Sequence, residues 1–423
     1  MGITEQFVKL AATDVPEAVA AMVRLSFFDW AACGIAGAAD DRFAPFRRAQ
    51  LIEEGPAQVF GGDATGAASA ALLNGTFGHA LDFDDMHFAF MGRPSAAVFP
   101  AVIALAETLD TRLTDAVDAA AIGMEAAIMA GLWLGRGHRS AGFEQTATAG
   151  AFGATLACAR LLELDKAQIR NALGICASMA SGLGVQAGTM TQPLHAGLAA
   201  RTGVEAALWA QTGLSAAPDA LDGPKGFART HQGDLAEVKA PRKEWYVTTI
   251  SHKFHACCHG LHAMLEALSG CDVQADRISG IRIRTHPYWM DKCNIAAPKT
   301  GQEAQNSLTH AAAMKVLGHS TQSLDDFSGA VARDASVCAL RDRIDVMPDE
   351  KLGVAQSLVT LTLDTGEVRR LRHDLDTQVT LEALADRLLK KAPALITQEK
   401  ADSLWQAVIG PDLDAVTACF NGG

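Results

Sequence analysis

Several signatures that would announce a cofactor are missing from this chain. It has no HExxH pair and no paired CxxC, so spacing alone gives no closed zinc site. It has neither a GxGxxG turn nor a phosphate loop, so a nucleotide cofactor is not expected. Positive charge is also short: 36 Lys and Arg stand against 48 Asp and Glu, a net charge of −12. That excludes a nucleic-acid surface, which needs clustered basic side chains. It also means that a site for an anionic substrate must carry its own local cations. Aromatic residues make up only 6% of the chain, while Ala and Gly are plentiful. Such a mixture suits helices whose backbones approach through small side chains. The nine cysteines are scattered, odd in number and mostly set in apolar runs (Cys33, Cys158, Cys176, Cys419), as expected of a reduced cytoplasmic protein with buried thiols. The N-terminus has no basic region leading into an apolar core, so no signal peptide is expected. The most apolar long stretch, 115–134, contains Asp115, Asp118 and Glu125, which argues for a buried helix rather than a membrane span.

What is present is mostly helical periodicity. With 423 residues, two domains are the natural expectation. Asp14-Val-Pro-Glu17 reads as a helix start, followed by Val19, Met22, Val23, Phe27 and Trp30 at helical spacing. Ala-rich helical segments are expected near 65–80, 96–110, 114–134, 146–163, 166–180 and 194–213, with no strand among them. Beyond 250 the texture changes. Residues 278–284 alternate like a half-buried strand, and 358–363 with 367–371 read as a hairpin around Asp364-Thr-Gly366. Helices are expected near 302–317 and 323–334. The reading is a mainly α chain: a helical domain over 1–250, an α+β domain over 251–385, and a C-terminal helix over 386–423 returning to the first.

Three polar clusters interrupt the apolar pattern. Gly78-His-Ala-Leu-Asp-Phe-Asp-Asp-Met-His87 packs three carboxylates and two imidazoles into a short stretch. Carboxylate–His proximity can hold a tautomer and tune proton transfer; a capping and turn cluster is the plainer alternative. If the segment is helical, His79 and Asp82 share a face. Gln192-Pro-Leu-His-Ala-Gly197 opens a periodic helix, with His195 either a site residue or an ordinary satisfied histidine. In the third cluster His252, His255, His259 and His262 recur at three- and four-residue steps, one face of a helix, with Lys253 and Cys258 among them. A metal site and a proton-handling or anion-binding strip both remain open for it.

These clusters, in this order, resemble the MmgE/PrpD family, which includes 2-methylcitrate dehydratase, cis-aconitate decarboxylase and iminodisuccinate epimerase. The matching stretches are 74–85, 193–200, 221–227 and 253–262, with Thr300-Gly-Gln-Glu-Ala304 as a further segment. The resemblance implies a helical domain built from both termini, an inserted lid, a homodimer, and a site in the cleft between domains. It implies catalytic roles for His79, Asp82 and Lys253 by motif match. Several positions depart from the family pattern: Met86 for Thr, Arg93 for His, Glu144 for His, Gln192 for Lys, and Cys258 for His in the decarboxylase branch. Glu144 is nevertheless expected to move a proton, and Arg93, Gln192, His195, Cys258 and His262 to bind substrate. No metal ligand and no cofactor are assigned, and the partner is a small carboxylate. The expected function is a cofactor-independent lyase or epimerase acting on a small di- or tricarboxylate at the carbon next to a carboxylate. The alternatives are a metal-dependent hydrolase built on the His252–His262 strip and an inactive ligand-binding member of the family.

Overall fold

In the computed structural model, residues 2–51, 53–240 and 243–421 are described. Small side chains and helix caps set its architecture, which is mainly α with some strands. The first stretch runs α1 (Ile3–Ala11), α2 (Glu17–Gly37), α3 (Ala44–Gln50), α4 (Ala67–His79), α5 (Pro94–Thr108), α6 (Leu113–Ser140), α7 (Gln145–Leu161), α8 (Lys166–Met179), α9 (Thr191–Gln211) and α10 (Phe227–Thr230). Local chemistry explains several starts. Pro94 sits in the first turn of α5, where its missing N–H costs nothing. Asp165 and Gln168 form a reciprocal capping box on α8. The helix expected to end near 134 continues to Ser140 across a kink at Gly135, whose φ of +65° only glycine adopts readily. One strand pair among these helices was not expected: β1 (Ala57–Val59) and β2 (Asp63–Thr65), antiparallel. Gly61 and Gly62, at φ +95° and +94°, make its turn.

The chain divides into two compact units: Met1–His252 with Leu381–Gly423, and Lys253–Thr380. The second unit contains α11 (His262–Ser269), β3 (Ile278–Thr285), α12 (Gly301–Ala304), α13 (Leu308–Val316), α14 (Gly329–Ala332), α15 (Ala335–Arg341), β4 (Ile344–Pro348), β5 (Gln356–Leu363) and β6 (Val368–Asp374). Its sheet has the order β4-β3-β5-β6, parallel at β3–β4 and antiparallel elsewhere. Ile281 faces Leu361 and Ile283 faces Val359; all four are buried, the signature of one apolar sheet face. The single helix expected over 302–317 is instead α12 and α13, because Ser307 leaves the helix to cap α13. The 323–334 segment likewise resolves into a short turn and α14, with Ser323 and Ser328 as caps.

The returning segment is not one helix. It forms α16 (Leu381–Lys391), α17 (Gln398–Ile409) and α18 (Leu413–Ala418). Pro393 and the Gly410-Pro411 pair interrupt it, removing helical donors where a continuous helix would need them. In the first unit Phe420 packs 4.3 Å from Phe60, which lies 5.0 Å from Trp30 (ring centroids). This aromatic cluster ties the end of the chain to α2. By length and composition α2 and α6 could cross a membrane, yet 78% and 89% of their apolar windows are buried in the protein, as in core helices.

Candidate active site

A glycine seam brings two helices of the first unit together. A Cβ on Gly75 of α4 would lie 2.7 Å from the Gly197 Cα of α9, and one on Gly197 would lie 2.1 Å from the Leu72 carbonyl oxygen. No side chain fits, so the two backbones touch. Gly78 is similarly forced, its virtual Cβ falling 2.1 Å from Trp30 Nε1. The seam sets the end of α4, with His79, beside the start of α9, with His195.

His79 is the last helical residue of α4, and helix ends there. Asp82 turns to φ +47°, so the shared helical face expected for His79 and Asp82 does not form. The turn instead aims Asp84 back at His79, with Asp84 Oδ1 2.8 Å from His79 Nδ1. Both side chains are buried. Burial would push the Asp84 carboxyl up, but the charge and hydrogen bond of His79, with Arg93 behind them, hold it below the usual carboxylate range. Arg93, at the start of α5, binds the same turn from the other side. Its guanidinium donates to the Asp84 and Asp85 carbonyls at 3.2 and 3.1 Å and to Asp82 Oδ1. Arg93 is thus invested in the loop that carries the carboxylates.

Asp85 is fully buried and accepts a hydrogen bond from Ser95. Burial, with Asp84 and Asp29 adding to it, pushes its carboxyl up to about 8. The native protein therefore holds a proton there that an unfolded chain releases near 3.8. Because the folded state binds the extra proton between these values, stability falls as pH rises through that window and is lowest above it. We expect urea midpoints to drop from pH 5 to pH 9, and Asp85→Asn to flatten that slope; a parallel slope in the variant would refute the assignment. Glu107, pushed up to about 7 by burial, acts in the same direction and remains in both proteins.

Glu144, expected to move a proton, has its carboxylate engaged at a helix start. It is the N-cap of α7, accepting from the Thr146 and Ala147 amides and from the Thr146 hydroxyl. Its Oε2 still lies 3.9 Å from His195 Nδ1. Burial lowers the His195 pKa, as does the charge of His79, while Glu144 opposes them. Thr146 Oγ1 also accepts from the Arg93 amide at 3.2 Å, linking the α7 start to the Asp82–Arg93 turn. Gln192 turns to its own loop, accepting from the Gly188 amide at 2.7 Å. Met86 pairs through its backbone with Ser251, at 2.9 and 2.8 Å. The second histidine of the first cluster, His87, is a structural tie to Thr249, lowered to about 4 by burial.

The expected histidine strip does not form one helical face. Residues 253–258 carry no helix; a 3₁₀ turn covers His259–Leu261 and α11 starts at His262. Ser251 is drawn into the Met86 bridge and the Cys258 amide bonds the Gln305 carbonyl, so tertiary pairing overrides the spacing. His252 belongs to the first unit and bonds Ser26 at 3.0 Å. In the second unit His255 bonds Thr321, and the His262 ring lies 4.6 Å from His259 and 5.2 Å from His255. Burial, then the charges of His259, His255 and Lys253, push His262 well below its ordinary value. Lys253 is fully buried, while Cys258 is half-buried.

Among the described residues, the His, Cys, Asp and Glu side chains close enough to share a metal are His79, Asp82 and Asp84, not the strip. An ion there would compete with the His79–Asp84 and Arg93–Asp82 pairs, so this donor set does not fit a metal. Asp84, Asp85, Ser95 and Thr146 went unassigned in the sequence reading. The first two stand in the motif itself, but nothing in spacing tells which of three neighbouring aspartates turns toward His79.

Comparison with known proteins places this geometry. The MmgE/PrpD N-terminal domain matches residues 2–237 and the C-terminal domain matches 255–404. The cis-aconitate decarboxylase-like protein oryM of Aspergillus oryzae is 25% identical over 96% of this chain and 93% of its own length. The cis-aconitate decarboxylase of Aspergillus terreus is 30% identical, the match spanning 61% of this chain and 57% of that enzyme. The human cis-aconitate decarboxylase is 34% identical over 37% of this chain and 34% of its own. With both domain matches in sequence order, and the turn that carries His79 and Asp84 inside the first, the chain belongs to the MmgE/PrpD family.

Proposed function

We propose that the protein is a lyase acting on a small di- or tricarboxylate by proton transfer at the carbon next to a carboxylate, with no metal or nucleotide. The observation that carries this reading is the buried His79–Asp84 dyad. Asp84 holds Nδ1 and stabilises the imidazolium, which leaves Nε2 as the nitrogen that exchanges a proton with substrate. Removing a proton beside a carboxylate builds negative charge on its oxygens, and preorganised cations must meet it. Lys253 is proposed as one donor, by its match to the family motif. Arg93 supplies a permanent positive charge at the Asp82–Asp85 turn. The names of the relatives favour a lyase over an epimerase.

The departures at Met86, Arg93, Glu144, Gln192 and Cys258 point to a site retuned for a carboxylate other than those of the best-known members. Glu144 at a helix start and Gln192 in a loop bond both replace basic types. The test is a panel of small di- and tricarboxylates, including cis-aconitate and 2-methylcitrate, followed by NMR in deuterated buffer for turnover and α-proton exchange. We expect little turnover of those two and clear exchange with another dicarboxylate. On that compound Lys253→Ala is expected to lose about a hundredfold in turnover with the fold retained, the usual effect of one lost oxyanion donor. In the same preparation light scattering is expected to give a homodimer, twice the 44.4 kDa chain. Efficient turnover of cis-aconitate or 2-methylcitrate would refute the retuning alone; no turnover and no exchange across the panel would refute the lyase reading.

A further inference from the structure

Lys391, the last residue of α16, is 308 positions from the motif it touches. Its Nζ donates to the Phe83 carbonyl at 2.7 Å, sits 4.2 Å over the Phe83 ring, and pairs with Asp29 of α2 at 2.6 Å. Lys391 and Asp29 are buried. Phe83 lies between Asp82, which Arg93 holds, and Asp84, which meets His79. One cation therefore grips the middle of the catalytic turn from inside the bundle while Arg93 grips its outer edge. Met86 is tied to Ser251 just beyond, and the neighbouring His252 is lowered to about 3 by burial with Lys391 adding to it.

A buried ion pair is a weak source of stability, because desolvation offsets most of its attraction. Its presence here, with Asp29 Oδ2 left without a hydrogen bond, calls for another use. We infer that Lys391, oriented by Asp29, is a positioning residue: its bond to the Phe83 carbonyl fixes the turn so that Asp84 meets His79 Nδ1. It is not proposed as a catalytic residue, since its amine is buried and held by Asp29 and the Phe83 carbonyl. The inference rests on the proposed role of the His79–Asp84 dyad, but its test needs no substrate.

The experiment reads hydrogen–deuterium exchange of the full-length protein by mass spectrometry, with the His79 tautomer read by side-chain ¹⁵N NMR, assigned through His79→Gln. In Lys391→Met, exchange in peptides covering 81–86 is expected to speed at least tenfold while α5 and α7 stay within twofold. The His79 signal is expected to change from one tautomer to a mixture. Asp29→Leu/Lys391→Met removes both charges, so that no lone buried ion is left to unfold the protein, and is expected to show the same local loosening. Asp29→Asn keeps an acceptor beside Lys391 and its bond to Phe83, the amine giving up its charge, and is expected to change both local readouts clearly less than Lys391→Met. Unchanged exchange and tautomer in the double variant would overturn the inference, as would loosening spread evenly over the bundle. A change in Asp29→Asn as large as in Lys391→Met would do so too. A protein inactive on every carboxylate of the panel but showing the local pattern would leave this inference standing and remove only the lyase reading.

Discussion

Asp84→Asn is expected to reduce turnover about a thousandfold while the protein still folds, in line with the 10²- to 10⁴-fold that a positioned acid–base group supplies. The amide fills the same space and still reaches His79 Nδ1, but it carries no charge to stabilise an imidazolium and can present its NH₂ instead of an acceptor. In the wild type the hydrogen bond is 2.8 Å long and shielded from water, so no solvent can replace the lost charge. Asp82→Asn supplies the comparison. Asp82 is more exposed and bonded to Arg93, so its loss is expected to loosen the turn and cost less than Asp84. Circular dichroism and turnover on the panel compound check both. An Asp84→Asn enzyme within tenfold of wild type would show that another group moves the proton.

The largest stability effect is expected from a single methyl group. Gly197→Ala places a Cβ 2.1 Å from the Leu72 carbonyl oxygen and 2.6 Å from Thr76 Oγ1. The obstacle is backbone, which cannot rotate away, so α4 and α9 must separate. Overpacking of this kind costs about 3 kcal/mol, and for a unit of this size that lowers the melting temperature by about 5 °C. Because His79 and His195 sit on the two helices being pushed apart, activity is expected to fall below what the fraction folded accounts for. Gly184→Ala is the control: its nearest neighbour is 3.5 Å away, so calorimetry is expected to show little change. Equal melting temperatures for the two variants would mean that the seam yields more than its geometry allows.

Much of the secondary structure could be read from the chain because its signals are local. Ala-rich periodicity marked the long helices, and the Asp364-Thr-Gly366 turn between alternating runs marked β5 and β6. The misses have tertiary causes. Strands β1 and β2 are three residues each, too short for alternation to show, although Gly61-Gly62 was an available turn signal. The histidine spacing of 252–262 looked helical until Ser251 and Cys258 were taken by partners far along the chain. The helix cap formed by Glu144 was not expected, although an acidic residue just before a helical run is an available cap signal. Lys391 had no signal at all: a lone Lys at the end of an amphipathic helix reads as solvated until Asp29 and Phe83 close over it.

Dependence of the first unit on its last forty or so residues has a bearing on how the protein matures. Asp29 and the Trp30–Phe60 cluster lie early in the chain, yet their partners Lys391 and Phe420 are synthesised only after the whole of the second unit. Until then α2 carries a buried-type carboxylate with no cation and an aromatic patch with no cover. The second unit, Lys253–Thr380, is one continuous stretch with all its strand partners inside it. It is complete while the first still waits. Domains usually mature in the order of their synthesis; here the unit begun first is completed after the second, and chaperone binding to nascent chains halted before residue 391 would map to α2.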